Sequence, residues 1–141
     1  MSDQNTERSI ESSTTLPTSE NAINVSVKTK FVEEQSNADD NRFVYAYTIT
    51  LRNTGKVTAQ LVSRHWVITN GNDDIQEVRG DGVVGEQPWL APGEEYTYTS
   101  GVALETEFGT MEGSYTMKNS AGLPFEAEIP MFALVPPHAL H

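Results

Sequence analysis

The stretch Gly80-Asp81-Gly82-Val83-Val84-Gly85 has the spacing G-x-G-x-x-G. That spacing lets backbone amides approach a pyrophosphate when a strand precedes it and a helix opens at the third glycine. A strand fits before it, but Pro88 falls three residues after Gly85 and Pro92-Gly93 follow, so no long helix can start there. No Lys-Ser or Lys-Thr pair follows the glycines to complete a P-loop. Asp81 and Glu86 place negative charge where a phosphate would sit, offset in part by Arg79. The competing reading is a glycine-rich loop between strands, with Gly80, Gly82 and Gly85 supplying tight turns or positive φ.

Hydrolytic and metal chemistry find less to work with. A serine nucleophile needs a histidine base held by a third group. The chain has three histidines, and His138 and His141 lie in its last residues. His65 is two positions from Ser63, so on a strand the two share a side about 7 Å apart, too far for a direct hydrogen bond. Glu94 and Glu95 are adjacent and point to opposite faces of a strand, so they cannot act as a carboxylate pair. Asp39-Asp40 and Asn70 with Asp73-Asp74 are oxygen-rich loops without the D-x-D-x-D-G spacing or a closing glutamate. Weak contact with a divalent cation is the most they offer. No cofactor is expected.

The elements that must position these residues alternate with period two. Val25, Val27, Thr29 and Phe31 lie on one face of a first strand, with Ser26, Lys28 and Lys30 on the other. Phe43, Tyr45, Tyr47, Ile49 and Leu51 mark a long central strand. Asn53-Thr54-Gly55 reads as a hairpin-type turn into Val57, Ala59 and Leu61. The phase then slips to Val62, Trp66 and Ile68, which predicts a β-bulge between Leu61 and Arg64. Further strands are expected over Ile75 to Arg79, around Tyr96 and Tyr98, from Met111 to Met117 and from Phe125 to Met131. Pro124 and Pro130 put the last of these at a sheet edge. No segment sustains a 3.6-residue period. Seven to eight short antiparallel strands with turn signals every ten or so residues predict an all-β, immunoglobulin- or fibronectin type III-like β-sandwich. Trp66 and Gly113-Ser114-Tyr115-Thr116-Met117 take the places of the buried tryptophan and the Gly-x-Tyr run of such domains, with Met117 where antibody domains keep a cysteine.

Composition narrows the partners. The 141 residues carry 9 basic and 20 acidic side chains, a formal charge of −11. This field repels nucleic-acid phosphates and anionic membrane, which argues against binding either. No run of apolar residues approaches the roughly 20 that span a bilayer, so no membrane insertion is expected. Cysteine is absent, so the fold holds without disulfides, and the start offers no signal peptide, which makes the cytoplasm the default location. Residues 1–22 read as a disordered tail, poor in large side chains, and residues 23–141 as the sandwich domain. On the strand through Trp66, His65 takes the opposite face, and it stands near Arg79 and the glycine loop if the two strands pair. Trp89, beside Pro88, serves either as an interface anchor or as a cover on one end of the sandwich.

Several blocks together resemble the ApaG family. They are Ser63-Arg64-His65-Trp66, Glu77-Val78-Arg79-Gly80-Asp81-Gly82-Val83-Val84-Gly85-Glu86-Gln87-Pro88, Leu90-Ala91-Pro92-Gly93-Glu94, Tyr98-Thr99-Ser100-Gly101, Phe108-Gly109-Thr110-Met111-Glu112-Gly113-Ser114-Tyr115 and Ile129-Pro130-Met131-Phe132. The likeness runs from about Ile23 to the end, in the family's order. It implies the same sandwich, a genetic link to cobalt resistance and magnesium efflux, and, from similar domains in eukaryotic F-box proteins, a protein-protein interaction role. The chain is therefore expected to be a non-catalytic binding or regulatory module for a protein partner. Its surface is expected to comprise His65, Arg79, Gly80, Asp81, Gly82, Gly85 and Trp89. The alternative is a nucleotide or polyphosphate module using the Gly80–Gly85 loop, and an open strand edge leaves room for a homodimer.

Overall fold

A computed structural model describes residues 20–139. The expected tail falls outside the described residues up to position 19, as do Leu140 and His141. Eight strands follow one another: β1 (Ile23–Phe31), β2 (Phe43–Asn53), β3 (Ala59–Asn70), β4 (Ile75–Asp81), β5 (Trp89–Leu90), β6 (Glu95–Leu104), β7 (Gly109–Asn119) and β8 (Pro124–Leu134). They form an antiparallel β-sandwich. One sheet has the order β1-β2-β6, the other β4-β3-β7-β8, with β5 also paired to β3.

The alternation seen in the sequence is the alternation of burial. Tyr45, Tyr47, Ile49 and Leu51 of β2 turn inward and meet Leu61, Trp66 and Ile68 of β3 with Met111, Tyr115 and Met117 of β7. Trp66 is buried, as its place in the sandwich requires, and Met117 is fully buried at the position where antibody domains keep a cysteine. The phase slip in β3 is a register shift between Leu61 and Ser63 against β7. β8 is an edge strand, and Pro130 falls in a second shift, where Gly113 faces Ile129 and Met111 faces Phe132. A missing N–H is harmless there.

One connection differs from its sequence expectation. Asn53-Thr54-Gly55 turns the chain but does not join paired strands: β2 pairs with β1 and β6, and β3 belongs to the other sheet. The turn is a crossover held by the buried Asn53. Its Nδ2 donates to the carbonyls of Val57 and Leu90, and its Oδ1 accepts from the Gly55 amide. The amides of Lys56 and Val57 donate to the Glu20 carbonyl, which anchors the chain just before β1.

A buried hydrogen bond between side chains also joins the two sheets, between the hydroxyls of Tyr98 on β6 and Tyr115 on β7. Burial raises both phenols above their ordinary value, so both stay neutral. Phenylalanine at Tyr115 strands the Tyr98 hydroxyl and is expected to cost about 1–3 kcal/mol. The double variant Tyr98→Phe/Tyr115→Phe should cost less than the two single changes added together. A double-mutant cycle by urea unfolding checks this, and strict additivity would remove the contact from the account.

Candidate functional site

The outward face of the β4-β3-β7-β8 sheet is polar, and register assembles it. His65 lies directly opposite Arg79 on β4 and Ser114 on β7, while Ser63 lies opposite Asp81 and Thr116. These side chains line a shallow depression of about 440 Å³. Glu77 sits at its margin, 2.8 Å from His65 Nε2 and 3.6 Å from Arg79 Nη2. The bond from His65 holds the Glu77 carboxyl below its ordinary value, with the charges of His65 and Arg79 helping. His65 bonds to Glu77 through Nε2, and among the described residues neither Ser63 nor Ser114 bonds to its ring, so no serine–histidine pair is formed here. Glu94 caps the Ala91 amide and Glu95 pairs with Arg52, so these two acids do separate structural work.

The glycine loop is an excursion of an edge strand. β4 leaves β3 at Ser63↔Asp81, and the chain rejoins the same edge at Gln60↔Trp89. Between them, Val83 and Glu86 exchange both backbone hydrogen bonds, at 2.9 and 2.8 Å. Val84 (φ 44°) and Gly85 (φ 83°) form the tip, two successive positive φ angles that mark a type I′ hairpin turn. A valine with positive φ is strained, and here its side chain is 57% exposed while neighbouring Val83 is buried. Gly82 (φ 63°) is required on two counts, since a Cβ there would also lie 2.3 Å from the Glu86 carbonyl oxygen. The Gly82 amide donates to the Val62 carbonyl at 2.8 Å. Gln87 Nε2 donates to the same carbonyl, and Gln60 Nε2 to the carbonyl of Gln87. Three of the loop's amides, those of Gly82, Val83 and Glu86, are thus committed inside the chain. No helix follows; β5 does.

The residues singled out in the sequence therefore fall on one margin of one sheet. His65 and Arg79 are register partners, Asp81 and the three glycines lead into and form the excursion, and Trp89, 53% exposed, stands at the corner where the edge resumes. Arg64, Glu77 and Val84 escape the sequence reading. Arg64 folds across Gly80, its register partner, and its guanidinium donates to the carbonyls of Asp81 and Gly82 at 3.1 and 2.9 Å. A side chain at position 80 would collide with it, since a Cβ would lie 2.8 Å from its terminal nitrogens. The signal was the pairing of a long side chain with a glycine, which only the register reveals.

The acidic loops bind their own backbone. Asn37 caps the Asp39 amide and bonds to Asp40, while Asn70 Oδ1 accepts from the amides of Asn72 and Asp74. Among the described residues no three His, Asp or Glu side chains converge as a metal-binding set. Among them, too, no helix is long and apolar enough to cross a membrane.

Comparison with known proteins agrees with this fold. Residues 33–119 match the ApaG domain family. The chain is 59% identical over 119 residues to Protein ApaG of Azoarcus sp. strain BH72, and 56% identical over 119 residues to Protein ApaG of Pseudomonas aeruginosa strain LESB58. Each alignment covers 84% of this chain and 94% of the relative. A crystal structure of the ApaA protein from Bordetella pertussis superposes with a TM-score of 0.83 at 49% identity, covering 86% of this chain and 98% of that one. On fold, matched segment and identity alike, the chain belongs to the ApaG family.

Proposed function

We propose that the chain is a non-catalytic binding module, working in the cytoplasm, that docks a protein partner on the margin formed by β4 and the glycine loop. The observation that carries this reading is the state of the loop. Its Gly82, Val83 and Glu86 amides are committed to the chain's own carbonyls, while Arg79, Val84 and Trp89 face solvent along the same margin. An arginine beside exposed apolar and aromatic side chains is the composition of an interface hot spot. A pyrophosphate cradle needs free amides and a helix N-terminus instead. Any bearing on cobalt resistance or magnesium efflux, which the family resemblance implies, runs in this reading through the partner.

Affinity capture from the native host's lysate is expected to retain a stoichiometric protein. Arg79→Ala and Trp89→Ala should each weaken its retention about tenfold or more, the size of a hot-spot truncation, without moving the thermal midpoint. Retention equal to the parent chain in both variants would place the partner elsewhere.

A further inference from the structure

The two long seams of the sandwich are unlike. β1 packs against β8 and closes one of them. At the other, β6 ends its sheet and β4 ends the opposite sheet, and neither outer edge pairs with another strand among the described residues. Between these edges runs a groove in two adjoining parts of about 350 and 320 Å³, which share Ile68, Gln76 and Ala103. Trp66, Tyr47 and Met111 form its floor, with Val78 and Val102 half buried at its lips. The room exists because Ser100 is a small side chain among the inward positions of β6, between Tyr98 and Val102.

The ends of the groove differ in charge. Arg64 is the charged residue of the first part, and among the described residues its guanidinium meets backbone carbonyls and forms no ion pair. Asp74 and Glu105 line the second part. The two edges differ as well. β4 carries Glu77, Arg79 and Asp81 on its outer face, the kind of charges that discourage strand pairing. β6 offers Thr97, Thr99, Gly101 and Ala103 on its outward positions, and the two threonine hydroxyls are already bonded across to Thr50 and Thr48.

We infer that this groove receives an extended segment of a protein partner, of about six residues, added as a strand along the free edge of β6. Alternate apolar side chains of the segment turn down onto Trp66 and Met111. An acidic residue sits at the Arg64 end and a basic residue at the Asp74 and Glu105 end. Main-chain hydrogen bonds supply affinity, and the apolar floor with its opposed end charges supplies register and direction. The inference rests on the binding-module reading, but it uses a different surface from the loop margin.

The test is selection of a phage-displayed random heptapeptide library on the full chain, followed by fluorescence anisotropy with the synthesised winners. The expected consensus has apolar residues at alternate positions between an acid at one end and a base at the other. Gln76→Trp, which fills the groove from an exposed position, should weaken binding at least about tenfold, and Arg64→Gln should do likewise for peptides keeping the acid. Trp89→Ala should leave it unchanged. No enrichment, or winners indifferent to Gln76→Trp, overturns the inference. Winners lost in Arg79→Ala and Trp89→Ala but not in Gln76→Trp assign binding to the loop margin, sinking the groove while the proposed function stands. A concentration-dependent dimer broken by Gln76→Trp would assign the groove to a second copy. A synthetic peptide of residues 1–19 binding in a Gln76→Trp-sensitive way would assign it to the chain's own start. Either result also overturns the proposal.

Discussion

Alanine at Gly113 is expected to destabilise the domain by about 3 kcal/mol or more. Gly113 lies opposite Trp66 in the β3-β7 ladder, beside the bulge that β8 makes against β7. A Cβ built there would stand 2.0 Å from the His65 carbonyl oxygen and 3.2 Å from the Trp66 Cα. Both are backbone atoms of a central strand, so no rotamer change relieves the clash. The two strands must part locally, and they carry Trp66, Tyr115 and Met117 into the core. Gly101→Ala is the control, since its Cβ would meet only the Tyr45 carbonyl oxygen at an ordinary 3.5 Å. It should stay within about 0.5 kcal/mol of the parent. Urea unfolding of the two variants measures the difference. With a total stability of roughly 5–15 kcal/mol for a domain of this kind, the Gly113 change removes a large share of it.

Trp66→Ala is expected to cost about 3–5 kcal/mol. The indole is 2% exposed. Its ring meets Tyr47 from the opposite sheet edge-on at 5.3 Å and Phe132 of β8 at 5.9 Å, with an interplanar angle of 84° to the latter. Removing it takes away the side chain that bridges the sheets and enlarges the groove between β4 and β6, leaving a cavity that rigid neighbouring strands cannot collapse into. Trp66→Phe keeps the aromatic contacts and should lose less. The chain has a second tryptophan, Trp89, which is 53% exposed. In a Trp89→Phe background the remaining emission should therefore be blue-shifted and resist acrylamide quenching. Quenchable emission there would show that Trp66 is not the core residue described.

The strands were legible because burial follows alternation wherever apolar and polar residues take turns without interruption, as from Phe43 to Leu51. The bulge after Leu61 was legible for the same reason, as a break in that alternation. β6 runs to Leu104, well past its tyrosines, because Ser100 and Gly101 hide the alternation that its backbone continues. The Asn53-Thr54-Gly55 turn showed where the chain reverses but not which sheet it enters, since turn chemistry is local and strand partnership is not. His65 and Arg79 were both visible as candidates, yet that they face one another, and that Glu77 binds both, depends on register. Arg64 stood in the Ser63-Arg64-His65-Trp66 block without any hint that the empty space at Gly80 lets it cross to the loop carbonyls. The positive φ of Val84 could not be foreseen, because β-branched residues avoid it.

That the 80–86 loop is closed on its own carbonyls, and is a rim for a protein and not a cradle for phosphates, is tested most directly by following its backbone amides in an ¹⁵N-labelled chain. The chain is titrated in turn with ATP, NAD and diadenosine tetraphosphate. The Gly82, Val83 and Glu86 amides should exchange slowly with solvent and hold their shifts up to millimolar ligand. Saturable shifts of these three amides with any of the nucleotides would mean that the loop opens to take phosphate, and would contradict the account at its centre.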